Sequence, residues 1–307
     1  MNAPAPASPR RRLVAGDREL ELGARPWLMG IVNASPDSFS DGGRHATLDR
    51  QVELAAELLA AGADILDVGG QSARADRPRV SELEELERVL PLVERLAGEL
   101  GALVSVDTYR PSVARAAIAA GARIVNDVSG LRDADLAAAC AETGAALVLM
   151  HTLAEPGRRL QDRALYGEDI AGEVISFLGD RMAVARAAGV AAAQLIVDPG
   201  PDFAKTPAQT IALLAQARRL HELGRPVLMA ISRKDFIGAL TRRAPRQRLA
   251  GTLAALAHGM DVGAHIFRLH DVAAAADFVR VRAALHGQLQ APDDLALAEE
   301  LRYEPLG

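Results

Sequence analysis

The 307-residue sequence has one cysteine, Cys140, so no disulfide can form within the chain. That usage suits a reducing compartment, and the expected location is the cytoplasm. Cys140 lies in an alanine-rich helical pattern and is read as a small buried residue rather than a nucleophile. No apolar run is long enough to span a bilayer, so no membrane partner is expected. Residues 1–9 are rich in Ala, Pro and Ser without the apolar stretch of a signal peptide, and are read as a disordered tail. A net charge of −5 argues against generic nucleic-acid binding. The cluster Arg242, Arg243, Arg246 and Arg248 is read as a solvated loop and helix start. Several chemical signatures are missing too. No G-x-G-x-x-G follows the first strand of the parallel series, which disfavours a nicotinamide cofactor. No Walker A loop, no G-x-S-x-G elbow and no H-E-x-x-H pair is present, which disfavours a P-loop NTPase, an α/β-hydrolase and a zinc site.

What is present is a regular alternation. Half of the residues are apolar. Short apolar segments fall at 28–32, 65–68, 103–106, 124–125, 147–150, 195–197, 227–231 and 266–269, with helical patterns between them. Ser81 and Glu84 form a capping-box signature, opening an apolar stripe through Leu86, Leu90, Val93 and Leu96 with Pro91 as a kink. Helices tend to stop at a glycine (Gly62, Gly121, Gly263) and return to a strand within a few residues. Eight such units predict an α/β fold of the TIM-barrel type, (β/α)₈, with a doubly wound open sheet as the alternative. Two strand-like pieces around Gly16-Asp17 predict a short N-terminal β-hairpin capping one end. The expected division is a tail and hairpin over 1–24, one barrel over 25–287, and a C-terminal tail over 288–307 with a short helix near 295–301.

In a barrel the site lies at the carboxyl ends of the strands. Those ends read Asn33, Asp67, Asp107, Asn126-Asp127, His151, Asp198, Ser232-Arg233-Lys234, and Arg268 with His270-Asp271. Asp67 and Asp127 are read as ties for neighbouring loops. A whole ring of polar ends is poorly explained by structure alone, because buried polar groups need partners. Carboxylates and amides (Asp107, Asn126, Asp198) suit a heterocycle rich in N–H donors. The later cations (Lys234, Arg268, His270) suit phosphate groups. Mg²⁺, held through phosphate oxygens plus one protein oxygen such as Asn33, fits this set better than zinc.

Six segments carry a resemblance: MGIVNASPDSFSDGG (29–43), DVGGQS (67–72), SVDT (105–108) with NDVSG (126–130), DPGPDFAK (198–205), SRKDFIG (232–238) and RLHDV (268–272). On these the chain resembles the dihydropteroate synthases of the pterin-binding barrel family. The resemblance implies condensation of 6-hydroxymethyl-7,8-dihydropterin diphosphate with p-aminobenzoate, giving 7,8-dihydropteroate and pyrophosphate for folate synthesis. It implies that Asp107, Asn126, Asp198 and Lys234 hold the pterin, and that Arg268 and His270 hold the diphosphate with Asn33 beside Mg²⁺. Asp107, Lys234 and Arg268 are the expected catalytic groups. Ala73, Arg74, Phe203, Ser232 and Asp235 are expected around the acceptor, which sulfonamides mimic. A homodimer is also implied.

The departures fall on the acceptor side. The family's G-E-S-T-R-P-G becomes Gly70-Gln71-Ser72-Ala73-Arg74-Ala75-Asp76, a glycine-rich stretch becomes Pro201-Asp202-Phe203-Ala204, and Asp235 stands where serine is frequent. Asp235 either faces the acceptor's carboxylate or caps its own helix and points away. Two readings follow: a working synthase with a drifted acceptor pocket, or a paralogue that binds pterin without using p-aminobenzoate.

Overall fold

The computed structural model of the chain describes residues 8–34, 43–71 and 80–302. An antiparallel hairpin comes first, β1 (Arg11–Ala15) and β2 (Arg18–Leu22), turning at Gly16-Asp17. Eight parallel strands follow: β3 (Trp27–Asn33), β4 (Ile65–Gly69), β5 (Val104–Asp107), β6 (Ile124–Asp127), β7 (Ala146–Met150), β8 (Leu195–Asp198), β9 (Leu228–Met229) and β10 (Ile266–Leu269). Their order is β8-β7-β6-β5-β4-β3-β10-β9, and a bridge between Val197 and Val227 brings the two ends together into a nearly closed barrel. That closure rules out the open sheet.

The described helices are α1 (Gly43–Ala60), α2 (Glu82–Gly98), α3 (Pro111–Ala119), α4 (Ala134–Thr143), α5 (Ile170–Ala187), α6 (Pro207–Ala215), α7 (Asp235–Thr241), α8 (Leu249–Asp261) and α9 (Val272–Leu285). Ser81 caps α2 by accepting the Glu84 N–H at 3.2 Å. Glu84 turns its carboxylate to Arg88 instead of back to Ser81, so only half of the expected capping box forms. A complete box forms at α6, where Thr206 and Gln209 bond reciprocally. Gly62 and Gly263, at φ 103° and 87°, end helices in backbone that only glycine adopts freely.

Successive strand residues face opposite sides. Outward residues such as Val32, Val68, Val106, Val125, Leu149 and Val197 pack under the helices in one large core. Inward residues Met29, Ile65, Leu103, Ile124, Val148, Ile196, Leu228 and Ile266 form a second core, which Leu13, Ala15 and Leu22 of the hairpin plug from below. The segment expected as a strand over 227–231 contracts to Leu228–Met229. Its first N–H, on Val227, bonds the ring Nδ1 of His265 at 3.1 Å rather than a strand carbonyl. Among the described residues of the tail there is one 3₁₀ turn, Glu299–Leu301. Among the described residues no helix is long and apolar enough to cross a membrane.

Candidate active site

One inward step beyond the apolar layer, five of the eight strands change character. Ile65 gives way to Asp67, Leu103 to Ser105 and then Asp107, Ile124 to Asn126, Ile196 to Asp198, and Ile266 to Arg268. The strand period of two puts all of these side chains inside the mouth. Asp127, one residue from Asn126, points the other way. It accepts the N–H groups of Ser129 and Leu131 at 2.8 and 2.5 Å, tying down its loop as the sequence suggested.

Asp67 does something else. It is fully buried, its Oδ2 accepts from Arg268 Nε at 2.6 Å and Asn126 Nδ2 at 3.2 Å, and its Oδ1 has no partner among the described residues. The reading of Asp67 as a loop tie is therefore corrected. Its inward parity with Ile65 was the sequence signal for a place in the site. Arg268 also donates through Nη2 to Asp107 Oδ2 at 2.9 Å, so one guanidinium bridges two carboxylates.

Burial disfavours the charged form of a carboxylate. It is the main reason the Asp107 carboxyl is pushed up to about 7, with Arg268 opposing and Asp67 reinforcing the shift. Asp198 is likewise raised, to about 6, although the Gly200 N–H bonds its Oδ1 at 2.7 Å and Lys234, Lys205 and Arg268 favour its charge. Lys234 is held below its ordinary range, chiefly by burial, and its Nζ lies 4.4 Å from the centroid of the Phe203 ring.

The Ser232-Arg233-Lys234 turn is held from three directions. Arg233 has φ 58°, an unfavourable left-handed conformation for a side-chain-bearing residue. Its N–H bonds Thr252 Oγ1 at 3.1 Å, and its guanidinium pairs with Asp271 at 2.6 and 3.0 Å. Arg248 donates to the carbonyls of Arg233 and Lys234 at 2.8 and 3.0 Å, so this member of the basic cluster is a clamp rather than solvated. Ser232, expected near the acceptor, is buried and engages His270: its Oγ accepts the His270 N–H at 3.2 Å and lies 2.9 Å from Nδ1. Burial and the nearby cations Arg233, Arg268 and Lys234 press His270 down to about 4.

On the acceptor side, Ala73 and Arg74 lie outside the described residues, as do residues 35–42 of the first motif. Asp235 neither caps its helix nor stands free. It is exposed and pairs with Arg248 and Arg159 at 3.3 and 3.4 Å, while its N–H donates to Asp202 Oδ2 at 2.5 Å. Asp202, at φ 66°, is braced by Thr210 through two contacts of 3.1 Å.

Among the described residues no group of three His, Cys, Asp or Glu side chains could hold a metal. Asn33, exposed at the end of β3, offers one hard oxygen. That donor set fits Mg²⁺ bound mainly by substrate oxygens and water, and does not fit an all-protein site.

The pterin binding enzyme family model matches residues 29–270. A dihydropteroate synthase from Synechocystis is 42% identical over 275 residues, covering 89% of this chain and 94% of the relative. The Xanthomonas albilineans dihydropteroate synthase solved with 4-aminobenzoic acid is 44% identical with TM-score 0.80, covering 91% of this chain and 98% of that one. The same enzyme in complex with 7,8-dihydropteroate aligns at 43% identity and TM-score 0.78 over 89% of this chain and 98% of that one. With these matches spanning the strand ends that carry the buried carboxylates, the chain belongs to the pterin-binding enzymes, in the dihydropteroate synthase family.

Proposed function

We propose that this mouth joins 6-hydroxymethyl-7,8-dihydropterin diphosphate to p-aminobenzoate. The C–O bond to the diphosphate breaks and pyrophosphate leaves with the electron pair. The arylamine nitrogen then forms the new C–N bond and gives up a proton, completing 7,8-dihydropteroate. The observation that carries this reading is the bridge from Arg268 to Asp107 and, through Asp67, to Asn126. It joins the acceptor-rich wall to a cation within a single buried network.

Asp107, Asn126 and Asp198 accept from and orient the N–H edge of the pterin, and Lys234 donates to its ring atoms. A carboxylate fixed beside the departing methylene stabilises the positive charge that develops as the bond breaks; this is the role of Asp107. Arg268 and His270 face the diphosphate. Asn33 would hold Mg²⁺, which when bound neutralises pyrophosphate charge. Phe203 supplies an aromatic wall for the acceptor, with Asp235 at its rim; a relative solved with 4-aminobenzoic acid supports p-aminobenzoate as that acceptor.

The catalytic unit in this reading is one domain over 25–287. It works as a homodimer, which the exposed Leu240, Val281 and Leu285 on α7 and α9 support, and resides in the cytoplasm, which the single cysteine supports. The test is incubation of purified protein with the pterin diphosphate, Mg²⁺ and p-aminobenzoate. Equimolar pyrophosphate and dihydropteroate are expected. Pterin binding without product would establish the non-catalytic paralogue instead.

A further inference from the structure

The chain has thirty-three arginines and two lysines, Lys205 and Lys234. Lysine is a compact point charge on a flexible stem, and arginine a planar fork, so the two are not interchangeable. Both lysines lie at the mouth. Lys234 belongs to the site described above, whereas Lys205 is assigned no substrate contact there.

Lys205 is fully buried. Its Nζ lies 2.8 Å from His151 Nδ1 and donates to the carbonyls of Gly200 and Phe203 at 3.0 Å each. All three partners are neutral, and burial presses Lys205 down to about 7. As an ammonium Lys205 has donors only, and it is then accepted by the Nδ1 lone pair of a His151 ring that carries its proton on Nε2. Burial and the neighbouring Lys205 keep that ring uncharged, at about 2. His151 is anchored in turn by its N–H to the Asp198 carbonyl at 2.8 Å and by its ring against Phe177, with centroids 4.7 Å apart. The loop between Asp198 and Lys205 wraps round this ammonium. Gly200 passes so close that a Cβ there would lie 2.0 Å from the His151 carbonyl oxygen. Phe203, whose carbonyl Lys205 holds, carries the ring beneath Lys234.

We propose that Lys205 is a positioning residue: hung from His151, it fixes the 199–204 loop so that Phe203 holds the Lys234 ammonium, and Asp198 its carboxylate, toward one ligand. The inference rests on the proposed function for its kinetic consequence but not for its geometry, and the two can be tested separately.

Protein labelled only at lysine with ¹³C and ¹⁵N has two side-chain spin systems. The Lys234 ε-protons should resonate upfield of free lysine because of the Phe203 ring current, and Phe203→Leu should remove that shift. Lys205→Met should return the Lys234 signal toward the free position while circular dichroism remains native. His151→Asn, which replaces Nδ1 with an amide oxygen, should retain the shift, and His151→Leu should lose it. A folded Lys205→Met protein with the Lys234 signal unmoved overturns the proposal. Should Lys205→Met not fold, equal shifts in the two His151 variants overturn it. In turnover, Lys205→Met should raise KM for the pterin diphosphate about tenfold with kcat less affected. The double variant with Phe203→Leu should be no weaker than Phe203→Leu alone, and additive losses would contradict action through Phe203. Absence of turnover in the wild-type protein would refute the proposed reaction and leave the spectroscopic result to decide this inference.

Discussion

The two ends of the barrel use the same strands and differ by a single inward step. At the hairpin end the interior is Met29, Ile65, Ile124, Ile196 and Ile266, sealed by Leu13 and Leu22. Two residues later along four of those strands stand Asp67, Asn126, Asp198 and Arg268, also largely out of water. Apolar burial at the first end stabilises the fold in proportion to area. At the second, each charge loses hydration and is compensated only partly by its neighbours. Asp67 Oδ1, without a partner among the described residues, and the raised Asp107 and Asp198 carboxyls reflect that imbalance. A barrel can sustain a costly mouth because its other end is closed.

The sharpest break in this contrast should come from Arg268→Ala, which leaves Asp67 and Asp107 buried without their cation. Removing one partner of a buried pair costs about 3–5 kcal/mol, measurable by urea unfolding at pH 8, and diphosphate binding should weaken more than binding of a diphosphate-free pterin. Equal losses for the two ligands would remove the proposed diphosphate role.

Asp107→Asn should lower kcat by roughly 10²–10³, the scale for losing one fixed electrostatic stabiliser, with little effect on pyrophosphate binding. In the wild-type enzyme kcat/KM should fall as pH drops through about 7, because the Asp107 carboxylate is then protonated. A profile flat from pH 8 to pH 5 would contradict the assignment.

At the other end, Leu13→Ala should destabilise by about 2–4 kcal/mol while kcat/KM at 20 °C stays near the wild-type value. A large kinetic effect would mean that the hairpin plug and the mouth are coupled.

Asp198→Asn should give the smallest stability change, and of opposite sign. A carboxyl whose folded value is raised carries no penalty below its unfolded value near 4 and destabilises as pH rises through the folded value, here about 6. The amide should therefore gain about 1–3 kcal/mol at pH 8 and nothing at pH 4, while losing pterin affinity. Thermal melts at the two pH values check the sign.

Much of the fold was legible because glycine-ended helices and short apolar runs punctuate the chain regularly. Strand β9 starts one residue later than its apolar run because a histidine ring, His265, takes the Val227 N–H that a neighbouring strand would otherwise bond. Asp67 and Asp127 are both strand-end acids, but Asp67 shares parity with inward Ile65 and Asp127 with outward Val125, so only Asp67 enters the mouth. Long-range pairings were not legible. The Asp202–Asp235 contact joins a loop to the start of α7 across 33 residues, and Arg268 reaches Asp67 across 201 residues. Residue types announce that charges gather at the mouth, and the folded structure shows which of them neutralise one another.

The most direct measurement is product formation by wild-type protein and Asp107→Asn side by side, with pterin diphosphate, p-aminobenzoate and Mg²⁺ at pH 8. Rapid equimolar dihydropteroate and pyrophosphate from the wild type, and a loss of roughly 10²–10³ in rate for the variant, is the expected result. Comparable rates from the two proteins would show that the buried carboxylate at the end of β5 does not carry the chemistry.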